Sequence, residues 1–270
     1  MKKMKSKNPV MNNKLKKNKS NLIRLNRFLA MAGVGSRRKC DEFIQKGKIE
    51  VNGQKVIQMA FLVDPENDIV KFEDKIVQAN KQFTYILMNK PLYYVCTVND
   101  EKGRRTVIDL IKISERLYPV GRLDFNTTGV LLITNDGDLT YYLIHPRFEV
   151  KKVYHALLDK RISAIDLHRF QTGIDLNDFK TASCKIKEVR VIDNCSYVEI
   201  EMHEGKNRQI RRMFQELGYQ VEELNRVEFA GIRTGDLKPG EWRELNKSEI
   251  KTLKQLIEYQ KEKILENSTH

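Results

Sequence analysis

Residues 120–139, V-G-R-L-D-F-N-T-T-G-V-L-L-I-T-N-D-G-D-L, constrain the fold of this chain more than any other stretch. Four consecutive apolar residues, 130–133, lie between Gly129 and an Asn-Asp-Gly turn, which predicts a short strand buried in a sheet. Asp124 precedes this strand by a polar turn, so we expect it at the rim of the sheet, where a loop can present it to a cleft. A purely structural Asp in a turn is the alternative interpretation.

The same stretch carries a longer pattern. The residues G-R-L-D-x-x-T-x-G, four apolar positions and T-N-D-G together resemble the catalytic signature of RNA pseudouridine synthases, in particular the bacterial RsuA/RluB-type ribosomal enzymes. The resemblance implies that Asp124 is the essential catalytic residue. We expect Arg122, two positions earlier, to hold an adjacent phosphate.

The charge balance favours a polyanionic partner. Lys and Arg number 49 against 36 Asp and Glu, a net charge of +13, which raises the affinity for nucleic acid through counterion release. The four cysteines show no C-x-x-C pairing, so we expect reduced thiols and no structural zinc. The sequence shows no apolar run long enough for a membrane span and no secretory signal, so we expect a cytoplasmic protein without a membrane partner.

Residues 1–21 are expected to be a disordered, lysine-rich tail. Residues 1–20 contain eight lysines and no acidic residue, and such a composition buries too little apolar surface to fold. Nonspecific contact with phosphates is the expected use of this segment.

Residues 22–72 have the pattern of a small domain. Apolar residues at helical spacing and Ser36 as an N-cap predict two helices, and Asn52-Gly53 predicts a hairpin. The residues R-L-x-x-F-L-A-x-A-G-V-x-S-R-R with V-N-G resemble the RNA-binding module of small-subunit ribosomal protein S4. The basic side chains expected to contact RNA are Arg24, Arg37, Arg38, Lys39 and Lys48.

Residues 73–82 are polar with little periodicity, and we expect them to form a linker to a catalytic domain, residues 83–270. The residues Y-I-L-M-N-K-P resemble the opening strand and turn of the synthase domain, although Tyr93 stands where relatives often have Gly. The resemblance implies an α+β protein, in which a helix-helix-hairpin RNA-binding domain precedes a mixed, mostly antiparallel sheet. We expect Trp242 to lie in the core. We expect the residues from Lys247 onward to form a packed terminal helix.

The residues K-K-V-Y-H-A-L-L predict an alternating strand that carries Tyr154. An aromatic residue on a strand is more often part of the core. The resemblance implies instead that Tyr154 packs on the target base. Stacking of an extruded base on an aromatic ring contributes about 1–3 kcal/mol.

The stretch H-E-G-K-N-R-Q-I-R-R-M-F-Q-E-L-G predicts an amphipathic helix. Its apolar stripe consists of Ile210, Met213, Phe214 and Leu217. Arg208, Arg211 and Arg212 fall on the neighbouring face, where like charges repel, so an anionic partner is expected. The resemblance to the family's basic motif implies that Arg211 pairs with Asp124 and that Arg208 and Arg212 face the RNA backbone.

Conversion of uridine to pseudouridine breaks the glycosidic bond and rejoins the base through carbon-5 without oxidation, so no cofactor is expected. The sequence shows no G-x-x-x-x-G-K-[ST] loop, no G-x-G-x-x-G after a strand and no metal-ligand cluster. One ionised carboxylate beside a cation suits this chemistry, and Asp124 with Arg211 supplies the pair.

Two other functions compete with this hypothesis. A noncatalytic RNA-binding or ribosome-assembly protein would keep the same fold. A metal-dependent nuclease would use Asp124, Asp136 and Asp138, although Asp136-Gly137-Asp138 fits a turn and helix start better. We favour site-specific modification of ribosomal RNA. The stretches N-R-Q-I-R-R-M and L-K-P-G-E-W-R-E-L resemble the large-subunit branch of the family more than the small-subunit branch. The expected partner is 23S rRNA or a pre-ribosomal particle, bound by a monomer.

Overall fold

The computed structural model describes residues 21–80 and 82–268. The predicted disordered tail therefore lies, except for residue 21, outside the described residues. The chain divides into two compact units, Met1–Gln82 and Phe83–His270. No helix in the described ranges is long and apolar enough to cross a membrane.

The N-terminal unit combines two helices with short strands. Its elements are β1 (Ile23–Arg24), α1 (Leu25–Met31), α2 (Arg37–Gln45), β2 (Ile49–Val51), β3 (Gln54–Lys55), β4 (Leu62–Val63), β5 (Val70–Phe72) and β6 (Lys75–Val77). Strands β3, β2, β5 and β6 form an antiparallel sheet in that order, and β1 pairs with β4. The apolar faces of both helices and of the sheet share one core, which includes Leu25, Phe28 and Ile44.

The local signals in this unit act as predicted. The Ser36 hydroxyl accepts the Lys39 backbone N–H at 3.2 Å and caps α2. Asn52 and Gly53 adopt positive φ values of 53° and 79° between β2 and β3, the conformation that a two-residue hairpin turn requires. Both predicted helices and the hairpin are confirmed.

Part of the predicted linker is a strand. Residues 75–77 form β6 and pair with β5, so the sheet continues beyond residue 72. Glu73 and Asp74 both have positive φ values and make the tight turn that joins the two strands. The prediction of a linker over residues 73–82 was wrong for this stretch, because a three-residue strand is too short to show periodicity.

The second unit contains most of the sheet structure. Its strands are β7 (Tyr85–Lys90), β8 (Tyr118–Pro119), β9 (Thr128–Thr134), β10 (Lys152–Leu158), β11 (Asp175–Leu176), β12 (Phe179–Lys180), β13 (Lys185–Ile192), β14 (Cys195–Met202), β15 (Val221–Phe229) and β16 (Trp242–Glu244). Its helices are α3 (Gly137–Ile144), α4 (Ala164–Thr172), α5 (Gln209–Glu216) and α6 (Lys247–Ser268).

The main sheet is mixed and mostly antiparallel. Its strands follow the order β13-β14-β10-β15-β9-β7-β16, and β8 also pairs with β9. Neighbouring strands are antiparallel except β15 and β9, which are parallel. The expected α+β architecture is confirmed.

Strand β9 is buried on both faces of this sheet. Val130 and Leu132 contribute to a core that includes Leu139 of α3 and Leu253 of α6. Leu131 and Ile133 contribute to a second core with residues of the segment before β8 and, at its edge, the half-buried Trp242. Burial on both faces explains why this strand is continuously apolar rather than alternating.

The other half of the sheet packs against α4 and α5. Phe170 of α4 stacks on Phe214 of α5 with ring centroids 4.4 Å apart, and both rings are fully buried with Ile200 of β14. Ile210, Met213 and Phe214 form the buried face of α5, as the apolar stripe predicted. At the other end of the unit, α6 packs through Leu253 and Ile257, as expected for a terminal helix.

We expect Gly129→Ala to destabilise the second unit by about 2–4 kcal/mol, because the substitution combines backbone strain with overpacking. Gly129 has a φ of 109°, and a Cβ atom there would lie 2.2 Å from the Arg226 carbonyl oxygen. Urea denaturation followed by circular dichroism would measure the change in the free energy of unfolding.

Gly218→Ala is the matched control for this prediction. Gly218 also has a positive φ, 83°, but a Cβ atom there would meet nothing within 4 Å. The free energy of unfolding of this variant should fall by only about 1 kcal/mol, the cost of placing alanine in a left-handed conformation. Equal losses in the two variants would show that the close approach of β9 and β15 does not matter.

Candidate active site

Asp124 lies in the loop that enters β9. The Thr127 backbone N–H donates to the Asp124 carbonyl at 3.1 Å, which closes a tight turn before the strand. Asp124 itself is half-buried, between the buried Leu123 and the exposed Phe125. It lines a cavity of about 170 Å³ together with Tyr154 and several basic side chains. The loop therefore presents Asp124 to a cleft at the rim of the sheet.

A buried lysine joins the end of β7 to the loop that carries Asp124. Lys90, the last residue of β7, is fully buried. Its ammonium donates to the carbonyl oxygens of Pro91 and Thr127, each at 2.9 Å. Burial lowers the pKa of Lys90, while Cys96 and Asp124 act in the opposite direction. The cation thus fixes the backbone at the end of the loop that carries Asp124.

Arg211 supports the same loop from α5. Its guanidinium donates to the Asn126 carbonyl at 2.8 Å and to the Val221 carbonyl at 2.6 Å. Burial first, and then the charge of Arg208, lowers the pKa of Arg211, whereas Asp124 raises it. Among the described residues no ion pair within 4.0 Å joins Asp124 and Arg211. In place of the predicted direct pair, Arg211 binds the loop backbone two residues beyond Asp124.

The three arginines of the basic motif have different surroundings. Helix α5 begins at Gln209, so Arg208 precedes it as the N-cap residue, in a left-handed conformation. Arg208 approaches the Asn126 side-chain oxygen at 3.4 Å. Arg212 forms an ion pair with Asp178. A carboxylate of the same unit thus supplies the anionic partner that was expected for Arg212, and its contact with the RNA backbone stays a prediction.

Tyr154 belongs to both the core and the cavity. On β10 it pairs with Ile200 of β14 and with Arg226 of β15. Its side chain is buried, packs in the core of that half of the sheet and lines the cavity that Asp124 also lines. A ring whose position is set by core packing offers a rigid surface to a ligand in the cavity.

Three further cations, Lys152, Lys206 and Arg226, line this cavity without having been assigned a role from sequence. Arg226 is buried, and its Nε donates to the Val130 carbonyl at 2.8 Å. Its Nη2 is buried without a hydrogen-bond partner among the described residues. The Lys152 ammonium donates to the Val150 and His203 carbonyls. Burial, reinforced by Arg226, lowers the pKa of Lys152 to about 8.

The sequence offered only weak signals for these cations. Lys90 ends a strand whose preceding residues are mostly apolar. Arg226 lies at the same strand phase as the buried Leu224 on β15, and Lys152 at that of the buried Tyr154 on β10. A charged residue at an inward position is a reason to suspect a functional role. The pairing of the neighbouring strands β10 and β15 brings Lys152 and Arg226 to one cavity.

The basic residues predicted in the N-terminal unit fall into two groups. Arg24, Arg37 and Arg38 are exposed, and no ion pair to another described residue holds their side chains. Lys39 pairs with Glu42 at 2.7 Å, and Lys48 pairs with Glu73 at 2.6 Å. Exposed pairs of this kind contribute little free energy, so a phosphate can compete with them. In the second unit, Arg122 is exposed beside Asp124.

The carboxylates of the nuclease hypothesis do not assemble into one site. Asp136 caps α3, since its Oδ1 accepts the N–H groups of Asp138 and Leu139 and its Oδ2 accepts the Tyr85 hydroxyl. Burial and this bond raise the pKa of Tyr85. Among residues 21–80 and 82–268, no group of three His, Cys, Asp or Glu side chains has an arrangement that could hold a metal ion. The prediction of a turn and helix start at Asp136 is confirmed.

Comparison with known families matches both units. The model of the RNA pseudouridylate synthase family matches residues 84–216, and the S4 domain model matches residues 23–70. A crystal structure described as a pseudouridylate synthase superposes with a TM-score of 0.62 at 27% identity, covering 86% of this chain and 99% of the other.

Similar proteins match over most of their length. An RNA pseudouridine synthase of Aquifex aeolicus is 40% identical, and the match covers 86% of this chain and 93% of the relative. The ribosomal large subunit pseudouridine synthase B of Bacillus subtilis is 38% identical over 88% of this chain and 98% of the relative. The resemblance inferred from the motifs is confirmed, and the chain belongs to the RNA pseudouridine synthase family.

Proposed function

We propose that this chain converts one uridine of large-subunit ribosomal RNA into pseudouridine, with Asp124 as the catalytic carboxylate. The position of Asp124 at a cavity walled by Tyr154 and by cations carries this proposal. The cavity of about 170 Å³ is smaller than sites for drug-sized ligands, which measure about 300–1,000 Å³. It suits one flat base rather than a run of nucleotides.

The reaction is a balanced rearrangement. The bond between ribose carbon-1′ and uracil nitrogen-1 breaks, and a bond between carbon-1′ and carbon-5 forms. The hydrogen on carbon-5 leaves as a proton, and nitrogen-1 gains one, so no electrons are exchanged with another molecule. Asp124 acts in its ionised form, whether it attacks the ribose or the base or removes a proton. The positive charges of Lys90 and Arg211 interact electrostatically with the Asp124 carboxylate.

A uridine must leave its stack to reach Asp124, and the cavity compensates for part of that cost. The Tyr154 ring can stack on the extruded uracil, and such stacking contributes about 1–3 kcal/mol to binding. Arg226 has a buried donor without a described partner, and an unsatisfied buried donor costs about 1–3 kcal/mol. An RNA oxygen that reaches Arg226 would remove this cost on binding.

Ribosomal RNA is the substrate class that the relatives favour. The Bacillus subtilis relative is named for the large ribosomal subunit, and the match covers nearly all of it. We assign RNA-backbone contacts to Arg122 and Arg208 near the cavity, and to exposed basic residues of the S4 domain. The monomeric state and the cytoplasmic location expected from the sequence stay predictions.

We expect Asp124→Asn to lower kcat by at least about 10²–10⁴-fold while the affinity for RNA changes by only a few-fold. The amide keeps the shape of the side chain but cannot act as a nucleophile or base. Release of tritium from ribosomal RNA labelled at uridine carbon-5 measures turnover, and filter binding measures affinity.

Asp236→Asn, the same change at an exposed position, is the control and should behave as the unsubstituted protein. Tritium release by Asp124→Asn at the normal rate would remove Asp124 from its role. RNA binding by the unsubstituted protein without tritium release from any ribosomal RNA would favour the noncatalytic alternative.

We expect the double variant Arg37→Ala/Arg38→Ala to bind RNA more weakly and with a shallower salt dependence. Each lost phosphate contact reduces the slope of log K against log salt by about 0.7–0.9, so two contacts reduce it by roughly 1.4–1.8. Titrations at several salt concentrations test this. Lys251→Ala/Lys254→Ala on the exposed side of α6 removes equal charge and should leave the slope unchanged; equal slopes in both double variants would contradict RNA binding by α2.

We expect the stability difference between Lys152→Met and the unsubstituted protein to depend on pH. The folded-state pKa of Lys152, about 8, lies below its usual 10.5. Its charge therefore opposes folding fully below pH 8, and this cost fades as pH rises from 8 towards 10. The unsubstituted protein should gain stability relative to the variant across that window. Thermal denaturation at pH 7, 8.5 and 9.5 measures this, and a constant difference would refute it.

A further inference from the structure

Tyr93 occupies a backbone conformation that does not suit it. It lies in the turn after β7 with a φ of 64°, in the left-handed region that favours glycine. Its side chain is 63% exposed, so burial of the ring does little to offset the strain. Strained residues of this kind concentrate at functional sites.

The ring of Tyr93 lies beside a second exposed ring. Phe125 follows Asp124 directly and is 41% exposed, and the two ring centroids are 5.5 Å apart with an interplanar angle of 57°. The Tyr93 backbone N–H donates to the Phe125 carbonyl at 2.8 Å. This bond joins the two loops, so the ring pair has a defined position relative to Asp124.

The loops that carry the rings are held from both sides. Lys90, three residues before Tyr93, binds carbonyl oxygens of both loops. Arg211 binds the carbonyl of Asn126, the residue after Phe125. The two aromatic side chains are thus exposed, but the backbone of their loops is held in place by hydrogen bonds. A fixed backbone lowers the entropy cost of binding a flat ligand.

Two cations lie on or against the loop that carries Phe125. Arg208 approaches the Asn126 side chain at 3.4 Å, and Arg122 is exposed on the same loop as Phe125. Exposed aromatic rings combined with neighbouring cations are the arrangement by which proteins bind unpaired nucleotides, because the rings stack on bases and the cations bind phosphates.

We propose that Tyr93 and Phe125 form a stacking platform for an unpaired base next to the target uridine. This inference rests on the proposed function. Tyr154 lines the cavity with Asp124, whereas Tyr93 and Phe125 are not among the residues that line it. The target base therefore enters the cavity. A neighbouring base, which loses its stacking partner when the uridine is extruded, stacks on the exposed rings.

Tyr93→Gly tests the platform without weakening the fold, because glycine removes the left-handed strain. We expect this variant to be at least as stable as the unsubstituted protein and to bind substrate RNA about 5- to 100-fold more weakly. Phe125→Ala should weaken binding similarly. Tyr93→Trp keeps an aromatic ring and should bind RNA as tightly as the unsubstituted protein. Tyr93→Asn tolerates the backbone conformation but has no ring, so it should bind as weakly as Tyr93→Gly.

Tyr259→Ala is the control, since Tyr259 is an exposed aromatic residue of α6, and it should leave affinity unchanged. The probe is a ribosomal RNA fragment containing the modified uridine, with 2-aminopurine placed in turn at each flanking position. Stacking quenches this fluorophore, so the unsubstituted protein should quench one flanking position and Tyr93→Gly should not.

Affinity and turnover are measured separately to distinguish two failures. An unsubstituted protein that binds RNA but releases no tritium would overturn the proposed function. Unchanged affinity and quenching in Tyr93→Gly and Phe125→Ala would overturn the platform. A loss of kcat at saturating RNA with unchanged affinity would also overturn it, because that result would show that the rings only position Asp124.

Discussion

The burial of β9 on both faces, together with its close approach to β15, is the constraint on which the site depends. Gly129 leaves no room for a side chain against the Arg226 carbonyl. The same Arg226 donates from its Nε to Val130 and lines the cavity. A single glycine in the strand therefore determines how near a buried cation lies to the loop that carries Asp124.

The cations around Asp124 bind the backbone of its loop rather than its carboxylate. Lys90 holds the Thr127 carbonyl and Arg211 holds the Asn126 carbonyl. Their charges interact with Asp124 through space, and no described ion pair within 4.0 Å occupies its oxygens. This arrangement fixes the loop while leaving the carboxylate oxygens free to react. A direct ion pair would have to break first.

The sequence predicted those parts of the molecule that depend on local signals. The helices of the N-terminal unit, the hairpin at Asn52-Gly53, the buried strand of residues 130–133 and the apolar face of α5 all follow from spacing and turn chemistry. Residues 75–77 were missed because a short strand becomes visible only when its partner is known. The carboxylate that faces Arg212 could not be named for a similar reason, since Asp178 is distant in sequence.

The sequence by itself determined the family, the α+β class and the identity of the candidate catalytic Asp124, because a long motif combines chemistry and strand pattern in one continuous stretch. Only the tertiary structure decided which cations surround Asp124, how Arg211 reaches it and where the strained Tyr93 places its ring. These relations join residues that are far apart in the chain. They depend on which strands become neighbours in the sheet, and local periodicity does not encode that choice.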